Sequence, residues 1–347
     1  MGKSHVLWKI EEEAEVADVL IVYRDLEGVR TPIEFAGSVL KDVEAFLSVK
    51  KKVATRARDL IGELGGTEVG GLIRLPEGAL QHWKTVLVGT LDDLAEHETR
   101  TIVFLWDELP LMLYNIRERE GEATAMEVID VLRQIRQSHR SVRMVYTGSV
   151  GLHNVLTSLK EAGHANASVN DMRVIDVPPL APLDAIDLAK RLFEGEGLAA
   201  TPGAAKALAV AVDHIAFYVH HVVDELKLRG EPVDAEAVEA TVLACLTSPG
   251  DEWHMAHYRE RLDTYYGRDR RDLALAVLDI LAHDGPLAFD DLADRLRSQH
   301  STGGASDEDV RSMLTLLQRD HYLLLDGVSR YAFRFPLIQR WWTLHRS

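Results

Sequence analysis

The sequence predicts an α/β chain: a mostly parallel sheet enclosed by helices, then a purely helical segment, then three helices and a β-hairpin. Three observations carry this reading. Over the first half, short apolar runs rich in β-branched residues alternate with longer stretches of helical spacing, the pattern of a sheet buried on both faces. Pro178, Pro179 and Pro182 end that alternation, because proline interrupts strand pairing and disfavours helix just before it. Beyond Ser248-Pro249-Gly250 the composition changes again, to three amphipathic helices and two short strands.

In chain order, a short helix is expected from His5 to about Ala14, with Val6, Leu7 and Ile10 apolar and acids clustered behind them. Strands are expected over residues 18–23 (DVLIVY), 101–106 (TIVFLW), 142–146 (VRMVY) and 173–177 (RVIDV). Helical spacing covers residues 33–49 and 125–137, where Met126, Ile129, Leu132 and Ile135 form a stripe. Between residues 50 and 97, Gly65-Gly66 and Gly70-Gly71 predict a loop or short hairpin, followed by a helix over about 77–95. Residues 183–246 read as helices only, including a long apolar one over about 204–226. Helices over 271–282, 290–297 and 307–319 then precede strands at 322–325 and 330–335, joined by a turn at Asp326-Gly327. Three helices and a hairpin are the order of a winged helix. The expected domains are residues 1–177, 178–250 and 251–347.

Composition narrows the function classes. The chain is 46% hydrophobic and 27% charged, ordinary for a soluble globular protein. Its apolar runs fall far short of the ~20 residues that a membrane span needs, and no charged-then-apolar leader opens it, so neither a membrane nor secretion is expected. Cys245 is the only cysteine, which excludes an internal disulfide framework and a Cys-rich zinc site and points to a reducing, cytoplasmic setting. The net charge of −16 disfavours broad attraction to nucleic acid.

The chemistry-bearing residues fall at strand ends. The run 102–106 leads straight into Asp107-Glu108, the Walker B pattern of an apolar strand ending in paired acids. Asp107 is expected to hold Mg²⁺ through water, and Glu108 to orient and deprotonate a water that attacks a γ-phosphate. The alternative is a solvated acidic turn. The next strand ends in Thr147-Gly148-Ser149, which places two hydroxyls at the same sheet edge as candidate γ-phosphate sensors; the alternative is a simple turn in which Gly148 supplies backbone freedom. Gly2-Lys3-Ser4 matches the tail of the phosphate-binding loop G-x-x-x-x-G-K-[ST] and precedes the expected helix and the strand at 18–23. In that frame Gly2 belongs to the loop, Lys3 reaches the β- and γ-phosphates of ATP, and Ser4 binds Mg²⁺. The order of the three motifs, rather than any one of them, makes the signal specific.

With these motifs the chain resembles P-loop ATPases of the AAA+/STAND group, the archaeal-ATPase-like proteins, over nearly its whole length. "IVFLWDELPLML" is similar to their Walker B strand and "VRMVYTGSVGL" to their sensor strand. "VIDVPPLAPLDAIDLAKRLF" is similar to the entry of their helical lid, and "YAFRFPLIQRWW" to their closing wing and final helix. Within "HIAFYVHHVVDEL", Ala216 stands where the family pattern has proline. The resemblance implies an ATP-dependent switch, in which nucleotide state sets the position of lid and winged helix. In such proteins a motif like R-R-M-G-K-[ST] opens the domain, so Met1 is expected to be internal to the loop. An apolar strand encoded upstream would then lie between the strands at 142–146 and 173–177, and without it the RVIDV run would lose its place in the sheet.

Other candidates are weaker. His214, His220 and His221 lie on one apolar stretch without a nearby carboxylate, and read as packing or surface histidines. Tyr331, Phe333, Trp341 and Trp342 read as core rather than as a base-stacking set. From residue 268 onward, 11 arginines face 12 acids, and the third helix of that segment opens Asp307-Glu308-Asp309. That favours a protein partner or self-association over duplex DNA. The alternatives to a hydrolysing switch are a non-hydrolysing interaction module and a DNA-associated ATPase.

Overall fold

The structure, a computed structural model, describes residues 2–14, 18–47, 67–69, 72–74, 82–149, 151–161, 163, 168–230, 232–298 and 305–346. It divides into two compact units that meet in the chain at residues 175 and 176.

The first unit is built on a parallel sheet. Its elements are α1 (Lys3–Ala14), β1 (Val19–Asp25), α2 (Pro32–Leu47), the short pair β2 (Thr67–Val69) and β3 (Leu72–Arg74), α3 (Trp83–His97), β4 (Thr101–Asp107), α4 (Leu109–Glu120), α5 (Glu122–Ser138), β5 (Val142–Tyr146) and α6 (Leu152–Glu161). The main sheet has the order β1-β4-β5. Val19 pairs with Thr101 and Asp25 with Asp107, while Ile102 pairs with Val142 and Trp106 with Tyr146. Because side chains alternate along a strand, β4 divides its residues between two layers. Trp106 meets Phe35 of α2 edge-on at 5.1 Å between ring centroids. On the opposite face Leu105 packs with Ile21 against Leu7 and Ala14 of α1. Gly121 takes φ 90°, a conformation open to glycine, and so joins α4 to α5 with one residue.

Several expectations change here. β1 runs two residues further than its apolar pattern, through Arg24 to Asp25, because the parallel ladder to β4 continues that far. β2 and β3 form an antiparallel hairpin. Gly65-Gly66, Gly70-Gly71 and the first part of the helix expected over 77–95 lie outside the described residues. The RVIDV run is not a strand: Val174 and Ile175 are 90% and 78% exposed. β5 is an edge of the sheet, and no described strand lies beyond it to supply pairing groups. The chain just before this run is anchored elsewhere. Arg136 of α5 donates to the Tyr146 hydroxyl at 2.7 Å, the Ser168 carbonyl at 2.8 Å and both carboxylate oxygens of Asp171 at 2.8 and 3.0 Å. Its guanidinium holds the Asp171 carboxyl below its ordinary value.

The second unit comprises α7 (Pro182–Gly195), α8 (Ala204–Ala211), α9 (Ala216–Arg229), α10 (Ala235–Thr247), α11 (Ala256–Tyr265), α12 (Arg268–Asp284), α13 (Phe289–Ser298), α14 (Asp307–Arg319), β6 (Leu323–Leu325), β7 (Tyr331–Phe333) and α15 (Pro336–Arg346). One continuous core runs from Ala189 to Trp342. β6 and β7 pair antiparallel, and Leu287 exchanges two backbone hydrogen bonds with Tyr331 as an isolated bridge to β7. Trp341 and Trp342 are buried, and the Trp342 indole donates to Asp279 at 2.7 Å. Cys245 is buried as well, which pushes its thiol up to about 11.

The long helix expected over 204–226 is two helices. Between α8 and α9, Asp213 and His214 take φ 53° and 59°, a left-handed pair that only strong local constraint sustains in non-glycine residues. The His214 amide returns to the Ala209 carbonyl, and the Asp213 carboxylate accepts the Leu337 amide at 2.7 Å. That second bond gives α15 a cap supplied from a distant part of the chain.

Candidate active site

The parallel register carries the carboxyl ends of β1, β4 and β5 to one edge of the sheet. α1 lies across the sheet with its first residues at that edge. Gly2, with φ 68°, turns the chain into it. The Ser4 hydroxyl donates to Asp107 Oδ2 at 2.6 Å, and the Lys3 ammonium donates to the Gly148 carbonyl. Thr147 donates its hydroxyl to Asp107 Oδ1, which also accepts the Glu108 amide at 3.1 Å. Asp107 is thus buried but satisfied by donors from three segments.

Glu108 turns β4 directly into α4, at φ 54°. This left-handed step aims its carboxylate across at the loop after β5. Its oxygens accept the Ser149 amide at 2.8 and 3.0 Å and the Ser149 hydroxyl at 2.9 Å. The same two loops are stitched by backbone, with the Leu109 amide donating to the Thr147 carbonyl at 3.2 Å. All six candidate side chains, from Lys3, Ser4, Asp107, Glu108, Thr147 and Ser149, therefore belong to one cluster.

Two features were absent from the sequence reading. Gly148 is there for space and not for backbone freedom: a Cβ on it would lie 2.8 Å from Cδ and 3.1 Å from Cγ of Pro110, a rigid ring. Asp25, in register with Asp107, adds an exposed carboxylate at the same edge. The acid ending DVLIVYRD was visible in sequence, but it fell beyond the apolar run.

Among the described residues no cluster of three or more His, Cys, Asp or Glu forms a metal cage. A hydroxyl and a carboxylate 2.6 Å apart are instead the donor set of a hard cation that takes most of its oxygens from water and phosphate. Ser4 and Asp107 fit Mg²⁺ in that manner.

No family model and no curated protein matches the sequence. Among solved structures the chain is similar to a Walker-type ATPase of Pyrococcus abyssi, with a TM-score of 0.57 and 13% identity over 98% of this chain and 95% of that one. It is also similar to the ORC2 protein of Aeropyrum pernix, solved as ADPNP–ADP complexes, with a TM-score of 0.55 and 11% identity over 98% and 82%. The chain has a P-loop NTPase-like fold. In this P-loop fold the candidate cluster occupies the edge outside the carboxyl ends of the strands, where open α/β sheets bind ligands. The first-turn amides of α1, which lack intrahelical acceptors, begin at that edge and favour an anion there.

Proposed function

We propose that the protein binds ATP with Mg²⁺ at this edge and hydrolyses it slowly, as a nucleotide-dependent switch. The observation that carries the reading is the convergence of Lys3 and Ser4 with Asp107, Glu108, Thr147 and Ser149 from three separate segments. Lys3 and the start of α1 neutralise the β- and γ-phosphates. Ser4 and Asp107 supply protein oxygens to the metal, and Gly2 turns the chain into the loop's helix. Mg²⁺, when bound, draws charge from the phosphate oxygens. Glu108 orients the attacking water and takes its proton, while Thr147 and Ser149 report on the γ-phosphate.

The geometry supports slow turnover. Ser149 occupies both carboxylate oxygens of Glu108, so the base must leave these bonds before it can hold a water. Glu108→Gln in the full-length protein is expected to retain ATP binding and to lower turnover by about 10²-fold or more. Unchanged turnover would remove Glu108 from the role of base and favour the non-hydrolysing interaction module.

In this reading residues 178–250 are the lid and residues 251–347 a winged helix, which engages a protein partner or a second copy and not duplex DNA. The acids opening α14 have a structural use: Ser306 and Asp309 form a capping box, and Asp307 binds Arg297 at 3.0 Å. Arg311 stacks on Phe289 at 3.6 Å, which ties up the helix's first arginine. No helix among the described residues is long and apolar enough to cross a membrane.

A further inference from the structure

The second unit contains a cavity of about 520 Å³ that the nucleotide chemistry does not use. It lies where α8, α10 and α15 meet, with Ala207, Val210 and Leu337 among its apolar walls. Four charged side chains line it, and they are not equivalent. Glu239 and Arg340 form an ion pair between α10 and α15 and neutralise each other. Lys206 and Asp213 line the cavity without an ion-pair partner among the described residues, and the nearby charges of His214 and Arg340 offset the Asp213 carboxylate only in part.

We propose that this cavity binds a short peptide with free termini and apolar side chains, its ammonium on Asp213 and its carboxylate on Lys206. Lys206 stands in α8 and Asp213 in the left-handed turn that follows it, and both line the cavity. Val210, between them, is 56% exposed and offers apolar contact for the central side chain. The left-handed turn at Asp213 and His214 holds the carboxylate toward the cavity while one oxygen caps Leu337. Burial pushes the Asp213 carboxyl up to about 6, offset only in part by the Leu337 amide and the charges of His214 and Arg340. A bound ammonium would supply the missing counter-charge. Lys206 on α8, His214 in the turn, Tyr218 on α9, Glu239 on α10, Tyr258 on α11 and Arg340 on α15 are charged or titratable groups around it.

The inference is independent of the ATP reading and is tested on the full chain by calorimetric titration with the tripeptide Ala-Leu-Ala, its N-acetyl form and its C-terminal amide. The free tripeptide is expected to bind, and each blocked form to bind about tenfold or more weakly, about 1.4 kcal/mol. Asp213→Asn, which keeps an oxygen for the Leu337 amide, is expected to weaken the free tripeptide to the level of the N-acetyl form. Lys206→Ala is expected to abolish the difference between free acid and amide. Affinity is expected to fall as pH is lowered through about 6. Equal binding of the free and N-acetyl peptides to the unaltered protein would overturn the proposal whatever the variants do, as would no binding at millimolar peptide.

Discussion

Asp107 and Asp213 are carboxylates withdrawn from water, one in each unit, and the fold treats them in opposite ways. Asp107 ends a strand, and neighbouring segments deliver two hydroxyls and an amide to it. Asp213 sits in a strained turn between two helices, receives the single amide it caps, and titrates near 6. A strand end in a parallel sheet collects donors from every adjoining loop. A helix joint has only the groups it joins.

The two units can be separated energetically by core deletions, the largest effect expected. Trp106→Ala and Trp342→Ala each remove a fully buried indole and should cost ~3–5 kcal/mol. Hydrogen exchange should place each loss in its own unit. Loss of protection in both units from either variant would show that the division at residue 175 has no energetic meaning. Gly148→Ala tests the donor-rich site next. The Pro110 ring cannot yield, so the loop must move, at ~1–3 kcal/mol and with weaker nucleotide binding. A variant as stable and as active as the parent would refute the steric reading of that glycine.

Asp213 is the donor-poor counterpart. Its carboxyl rises from 3.8 to about 6 on folding, so the folded chain holds the proton more tightly than the unfolded chain does. The stabilisation from this group is complete below 3.8 and is lost as pH rises through about 6. With allowance for its partial exposure, the loss is roughly 1–2 kcal/mol. Denaturant unfolding of Asp213→Asn across that window should lack this slope, and a slope equal to the parent's would assign the titration elsewhere. The smallest effect belongs to the local cap on α14. Ser306→Ala should cost ~1 kcal/mol with no pH dependence of the Asp213 kind, as judged by thermal melts.

The same contrast explains what the sequence disclosed. β1, β4 and β5 were legible because each is a short, mainly apolar run rich in β-branched residues, and Asp107-Glu108 because the acids follow one directly. The RVIDV run has the same composition, but composition states a preference and pairing needs a neighbour. The break at Asp213 was invisible for a related reason. Apolar spacing continues across it, and the Leu337 amide that stabilises the turn lies more than a hundred residues away. Gly148 looked like a flexible turn because nothing local to Thr147-Gly148-Ser149 reveals the ring of Pro110.

The central claim is that Ser4 and Asp107 share a metal ion with ATP, and calorimetric titration of ATP into the full-length protein tests it most directly. The account predicts binding that requires Mg²⁺ and that Asp107→Ala weakens by about tenfold or more, about 1.4 kcal/mol. Equal ATP affinity in the parent and in Asp107→Ala, or affinity unchanged when Mg²⁺ is withheld, would contradict it.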